Sequence, residues 1–292
     1  MPRGVGYSFP GWLDGAVSSP DGRYTLLYTR RGTKGLLLRD GKDLIREVNR
    51  SYYCAESYEY PAAFFKVPDG RTFLVHCPNG YNRLDFEDVE TGVIITNHSD
   101  RAPKVFFHSR LEISPAGRYL VSKGWFWHPW DIVVIYDISA CLMDPLLLDE
   151  IDQQVADGNV EVSTASSIDE SRLLVGASAE TPFDDERPVL LPPGHIGIWD
   201  MQLREIIHKV QPEVETGNLI AVDDAFALDL YRYPKLINLR TGTIEWGAED
   251  IFSGEQRSAI VGSRIIPPMA WHRALRKLAI GGEKKIDVLT VG

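Results

Sequence analysis

Seven histidines, three cysteines and 41 Asp or Glu residues are the reactive material of this 292-residue chain. None of the histidines falls in an HExxH or HxH pattern, so no local element pre-arranges two imidazoles around a metal. Cys54, Cys77 and Cys141 are widely spaced and form no CxxC, which predicts buried reduced thiols rather than a disulfide framework or a zinc cluster. No G-x-S-x-G elbow, Walker A loop or dinucleotide fingerprint is present. The string DFEDVETG from Asp85 carries the charge of a calcium loop, but it aligns with YDIS and NLRTG and predicts a strand end and turn. Two constellations remain. His128 with Asp184 and Asp185 has the ligand types of a metal site or an acid–base pair. Asp131 with Asp184 or Asp185 could supply the two carboxylates of a glycosidase. Neither spacing singles its residues out from the other acids, so no catalytic residue, metal or cofactor is expected.

The most unusual chemistry is aromatic. Residues 123–131 read KGWFWHPWD, with Trp125, Trp127 and Trp130 around Phe126 and His128. Aromatic side chains give rigid contact area, and arginine beside them adds directional donors. Packing at the end of a strand explains at least one of these tryptophans equally well.

The elements that must hold this stretch follow from a repeat. SPDGRYTLLYT begins at Ser19, VPDGRTFLVHC at Val67 and SPAGRYLVSKG at Ser114, so Pro20, Pro68 and Pro115 recur about every 48 residues. Weaker copies start at Ser167 (SIDESRLLVGAS), Ala221 (AVDDAFALDLY) and Trp271 (WHRALRKLAIGG). In each clear copy Pro and Gly make a tight turn and an apolar strand follows, and in the first two Asp21 and Asp69 can bond backbone within the turn. A second strand then ends in an Asx turn, as in DIVVIYDIS, HIGIWDMQ and PKLINLRTG. The segment from Ile138 to Gly158 alone suggests a short helix, which Pro145 would interrupt or start. A unit of this size cannot bury both faces of a small sheet alone, but a ring of such units can.

These copies resemble WD40-like, YVTN and TolB-like propeller repeats. SPDGRYTLLYT and SPAGRYLVSKG match the turn and second strand, and GHIGIWDMQLREIIHKV the third and fourth, with the pair Trp199-Asp200. The Gly-His pair of a strict WD repeat does not recur. The resemblance implies an all-β protein: a single β-propeller domain over residues 1–292. Six blades of about 50 residues are expected, with seven as the alternative. A strand near Val5–Phe9 would close the ring. The resemblance implies little about function, because propellers host binding modules and enzymes alike.

Composition sets the surroundings. A formal charge of -10 disfavours nucleic acid and anionic membrane as partners. The start, MPRGVGYSFPGW, has no long apolar run, and no stretch approaches the length of a membrane helix. A cytoplasmic protein is expected.

If the PDG turns lie on one face, the loops between second and third strands share the other. That face would present Arg30, Arg31, Tyr81, Arg83, Trp125, Trp127, His128, Trp130, Tyr231, Arg232 and Tyr233. It would also carry the long loop 178–194, with Asp184, Asp185 and Arg187; its four prolines argue against helix or strand. The expectation is a non-catalytic module binding a protein or peptide through this face. The alternative is an enzyme, or a sugar or small-molecule site, in a central funnel opening there.

Overall fold

The computed structural model describes residues 13–262 and 264–291. Among them are six antiparallel sheets, one for each repeat copy. Sheet 1 has β1 (Gly15–Ser18), β2 (Tyr24–Tyr28), β3 (Lys34–Arg39) and β4 (Asp43–Asn49). Sheet 2 has β5 (Ala62–Lys66), β6 (Thr72–His76) and β7 (Asp85–Asp88). Sheet 3 has β8 (Glu112–Ile113), β9 (Tyr119–Phe126) and β10 (Trp130–Asp137). Sheet 4 has β11 (Val162–Ser167), β12 (Arg172–Ala177), β13 (Ile196–Asp200) and β14 (Glu205–Val210). Sheet 5 has β15 (Leu219–Ala221), β16 (Phe226–Asp229), β17 (Lys235–Asn238) and β18 (Ile244–Gly247), and sheet 6 has β19 (Met269–His272), β20 (Lys277–Gly281) and β21 (Ile286–Thr290).

The turn chemistry is the same from sheet to sheet. Between first and second strands, Ser19 Oγ accepts from the Tyr24 amide and Ser114 Oγ from the Tyr119 amide. Gly22, Gly70 and Gly117 take the positive φ these turns require. After the third strand, Asp88, Asp200 and Asn238 each accept from the amides two and three residues on. DFEDVETG is therefore a strand and an Asx turn.

Successive side chains of a strand point to opposite faces, and here both faces are covered. In β6, Phe73 and Val75 pack with Leu120 and Ile132 of sheet 3, while Leu74 packs with Leu26 and Leu37 of sheet 1. In β12, Leu173 and Val175 pack with Val121 and Val133, while Leu174 packs with Leu219 and Ile237 of sheet 5. Leu228 and Leu236 then meet Leu278 and Ile280 of sheet 6. Each interface is one apolar core, which is why the second strands are continuous apolar runs. Sheets 1 and 6 face each other across a cavity of about 430 Å³ lined by Tyr28, Met269 and Ala279.

Two details differ from the repeat reading. In sheet 2 the fourth strand is reduced to the single bridge Glu87–Ile94, and in sheet 3 to Val134–Gln154. Helix α1 (Ile138–Met143), capped by Asp137, and a 3-10 turn begun by Pro145 take the intervening chain. The aromatic stretch is mostly strand: Lys123–Phe126 pair with Trp130–Val133, leaving a loop of Trp127, His128 and Pro129. The expected closing strand at Val5–Phe9 lies outside the described residues.

Candidate interaction surface

The Trp-rich hairpin is built on a close backbone approach. Phe107 bridges to Trp125, its amide donating to the Trp125 carbonyl at 2.8 Å and its carbonyl accepting the Trp125 amide at 3.2 Å. The chain reaches this near only because position 124 is glycine: a Cβ there would lie 2.1 Å from the Phe107 carbonyl oxygen. Trp125 is consequently packed away, 3 % exposed, among Tyr58, Phe107 and Ala259. Around that buried pair stands a rim of more accessible rings. Tyr81 stacks on Phe107 at 4.3 Å, Tyr53 at 6.0 Å, and Trp127 meets it edge-on at 5.5 Å. Trp127 and Tyr53 are each 46 % exposed, and neighbouring Tyr52 is more exposed still. His128 is exposed beside them with φ 105°, a left-handed conformation held by the tight loop. Trp130 faces away and meets Phe183 of loop 178–194 at 5.9 Å.

A second feature crosses this face. Residues 253–262 and 264–267 run from sheet 5 over sheets 3 and 1. The Arg232 amide donates to Gly254 (2.6 Å), Ala259 to the Asp131 carboxylate (2.9 Å) and Val261 to Ser57 (2.8 Å). Arg31 donates to the Gly262 carbonyl, and Arg30 Nη1 to Ile266 (3.0 Å) and Pro267 (3.3 Å). The segment bonds residues of sheets 1, 3 and 5. Arg30, Arg31 and Arg232 thus tie down chain, and Tyr231 is buried beneath Arg232 and Arg257. Tyr233 carries Lys235 Nζ over its ring, and Arg83 is bound to Asp85 and Asn97.

Loop 178–194 docks on the rim instead. Asn159 accepts from the amides of Phe183 (2.8 Å) and Asp184 (3.0 Å). Asp184 closes an Asx turn on Glu186, and the Arg187 amide donates back to Asp184; Asp185 is exposed. Among the described residues no group of three or more His, Cys, Asp or Glu is placed to hold a metal ion.

Two buried titratable groups lie under the surface. His108 bonds Ser122 at 3.1 Å, and complete burial, its dominant perturbation, drives its pKa down to about 3. It is thus a neutral structural imidazole. Asp131 is pushed up to about 7 by burial, with Arg110 opposing and Glu161 adding to the rise.

Sequence reading missed Tyr52, Tyr53 and Phe107. The signal was present in SYYCAESYEY, where four tyrosines fall within nine residues. That string lies between β4 and β5, outside the loops that join second and third strands.

No family model matches the chain, and no curated protein matches it in sequence. The fold does have solved counterparts. The WD40 domain of Neurospora crassa Pan2 superposes with a TM-score of 0.52 at 10 % identity, covering 88 % of this chain and 68 % of that one. The chain therefore has a WD40-like β-propeller fold. Among the described residues no helix is long and apolar enough to cross a membrane.

Proposed function

We propose that this chain is a non-catalytic propeller of six blades that binds a protein or peptide through its loop face. The observation that carries this reading is the rim of Tyr53, Tyr81 and Trp127 seated on the buried Phe107–Trp125 pair. Large rings held rigid on a core lose little entropy on binding, which suits the anchor of an interface. Tyr52, His128 and Phe183 extend the exposed surface. Asp184, Asp185 and Arg187 at the rim would provide polar contacts. Six sheets support six blades. The cytoplasm is the compartment this reading assumes.

Affinity capture from native lysate tests it, comparing the wild-type chain with Trp127→Ala/Tyr53→Ala. The double variant is expected to keep its melting temperature and lose the captured partner. A folded variant that retains every partner would contradict the reading.

A further inference from the structure

The third strands of sheets 1, 4 and 5 are each paired along the outer edge with a fourth, β4, β14 and β18. The third strand of sheet 3, β10, is covered differently. Its fourth segment is the single bridge Val134–Gln154, with the Ile135 amide donating to the Gln153 carbonyl at 3.2 Å. Continued in antiparallel register, that segment would set Asp152 opposite Tyr136 and Ile151 opposite Asp137. Instead Ile151 packs against the core between sheets 2 and 3, and Lys104 Nζ holds the Asp152 carboxylate at 3.2 Å. The fourth strand of sheet 3 therefore stops short of the end of β10.

A cavity of about 420 Å³ opens at this place, between sheets 3 and 4. Three consecutive residues of β10, Ile135, Tyr136 and Asp137, line it, so it meets the edge of the strand and not one face. Main-chain groups alternate between the two edges of a strand. The Ile135 amide points outward to Gln153, and the Ile138 amide inward to the Arg118 carbonyl at 2.9 Å. The Asp137 amide and the Ile135 carbonyl thus belong to the outer edge. The other walls carry Trp199 and Met201 of sheet 4 and Leu147 of the 3-10 turn. Leu147 is exposed, as are its neighbours Met143 and Leu146. A second cavity, of about 320 Å³, shares Trp199 and Gln154 with the first and extends the groove to the exposed Leu190. Apolar side chains gathered beside an open sheet edge mark a place for another chain.

We propose that this groove receives an extended segment of a partner protein, which adds to β10 as the fourth strand of sheet 3. A donor and an acceptor set in extended register call for main-chain partners, and strand addition supplies them. The ring shows the same solution within itself, where β4, β14 and β18 cover the third strands of their own sheets. Alternate side chains of the added strand would lie against Trp199 and Met201, which suits valine or isoleucine at every second position. The groove shares no residue with the aromatic rim, so the inference does not depend on the loop-face reading.

The test is a titration of the isotope-labelled full chain with the acetylated, amidated heptapeptide Lys-Thr-Val-Thr-Val-Thr-Lys, followed by amide chemical shifts and hydrogen exchange. The control peptide carries a methyl group on every Val and Thr amide nitrogen, which keeps the side chains and removes the main-chain donors. Saturable shifts are expected at Asp137, Cys141, Gln153 and Met201, with slower exchange of the Asp137 amide. The methylated peptide is expected to bind at least about tenfold more weakly. Leu147→Lys, on the exposed rim, is expected to weaken binding at least about threefold at unchanged melting temperature, and Met201→Gln provides a second variant expected to do the same. No saturation, equal binding of the methylated peptide, an Asp137 amide that exchanges as fast as before, or indifference to both variants would overturn the proposal. Sedimentation of the free chain separates the remaining occupant: a dimer that Leu147→Lys abolishes would put a second copy of this chain in the groove, and the partner strand would be refuted.

Discussion

The rings of Phe107 and Trp125 lie face to face, 3.9 Å between centroids and 3° from parallel. One residue closes the connector from sheet 2, and the other is in the middle of sheet 3. Their stack is the floor on which Tyr53, Tyr81 and Trp127 stand, so the exposed rim inherits its rigidity from the core.

That relationship separates two tryptophans only two positions apart. Trp125→Ala is expected to destabilise the protein by about 3–5 kcal/mol, the cost of emptying a large aromatic site. Trp127→Ala is expected to cost less than about 1 kcal/mol, because half-exposed loop residues contribute little to folding. Chemical denaturation of both variants checks this, and equal losses would refute the division into floor and rim.

Asp131 and His108 give opposite pH slopes. Asp131 has a folded pKa of about 7 against 3.8 unfolded, so its contribution is fully present below 3.8 and is lost as pH rises to 7. The rise amounts to about 4 kcal/mol. His108 has a folded pKa of about 3 against 6.5, so its contribution is present above 6.5 and is lost as pH falls. Between pH 6.5 and 4.5 each is worth about 3 kcal/mol, with opposite sign. Asp131→Asn is therefore expected to raise stability at pH 8 and to steepen the loss on acidification. His108→Gln is expected to leave a protein that gains stability as pH falls from 7 to 5. Urea midpoints across this range decide the matter; parallel profiles for the two variants would contradict the assignment.

Lys235 is buried with its Nζ 2.8 Å from Asp229 and 2.7 Å from the Tyr231 carbonyl. Burial raises the Asp229 pKa even beside this cation. Lys235→Met strands the carboxylate and is expected to cost about 3–5 kcal/mol. Adding Asp229→Asn is expected to recover a large part of that loss in thermal melts. If the double variant were no more stable than the single one, the pair would not be acting as a unit.

The sheets were legible because turn chemistry repeats: Pro20, Pro68 and Pro115 mark the same turn, and Asp88, Asp200 and Asn238 the same Asx cap. Even the weak copies at Ala221 and Trp271 form the second strands of sheets 5 and 6. The missing fourth strands of sheets 2 and 3 were not legible, since outer strands have little core to encode them. The candidate surface was half legible. Trp127 and Tyr81 stand where the repeat puts them, but the depth of Trp125 depends on Gly124 and on Phe107, which arrives from another unit. The tethering of Arg30 and Arg31 was also hidden, because their partners lie over 200 residues away in a segment with no pattern of its own.

Site-specific photo-crosslinking tests the loop-face claim most directly. Tyr53 is replaced by p-benzoylphenylalanine, which keeps an aromatic ring on the rim, and Asp69 in an opposite-face turn is replaced in a parallel sample. Irradiation in native lysate is predicted to give discrete protein conjugates from position 53 and none from position 69. Conjugates from position 69 alone, or the same set from both, would contradict the account.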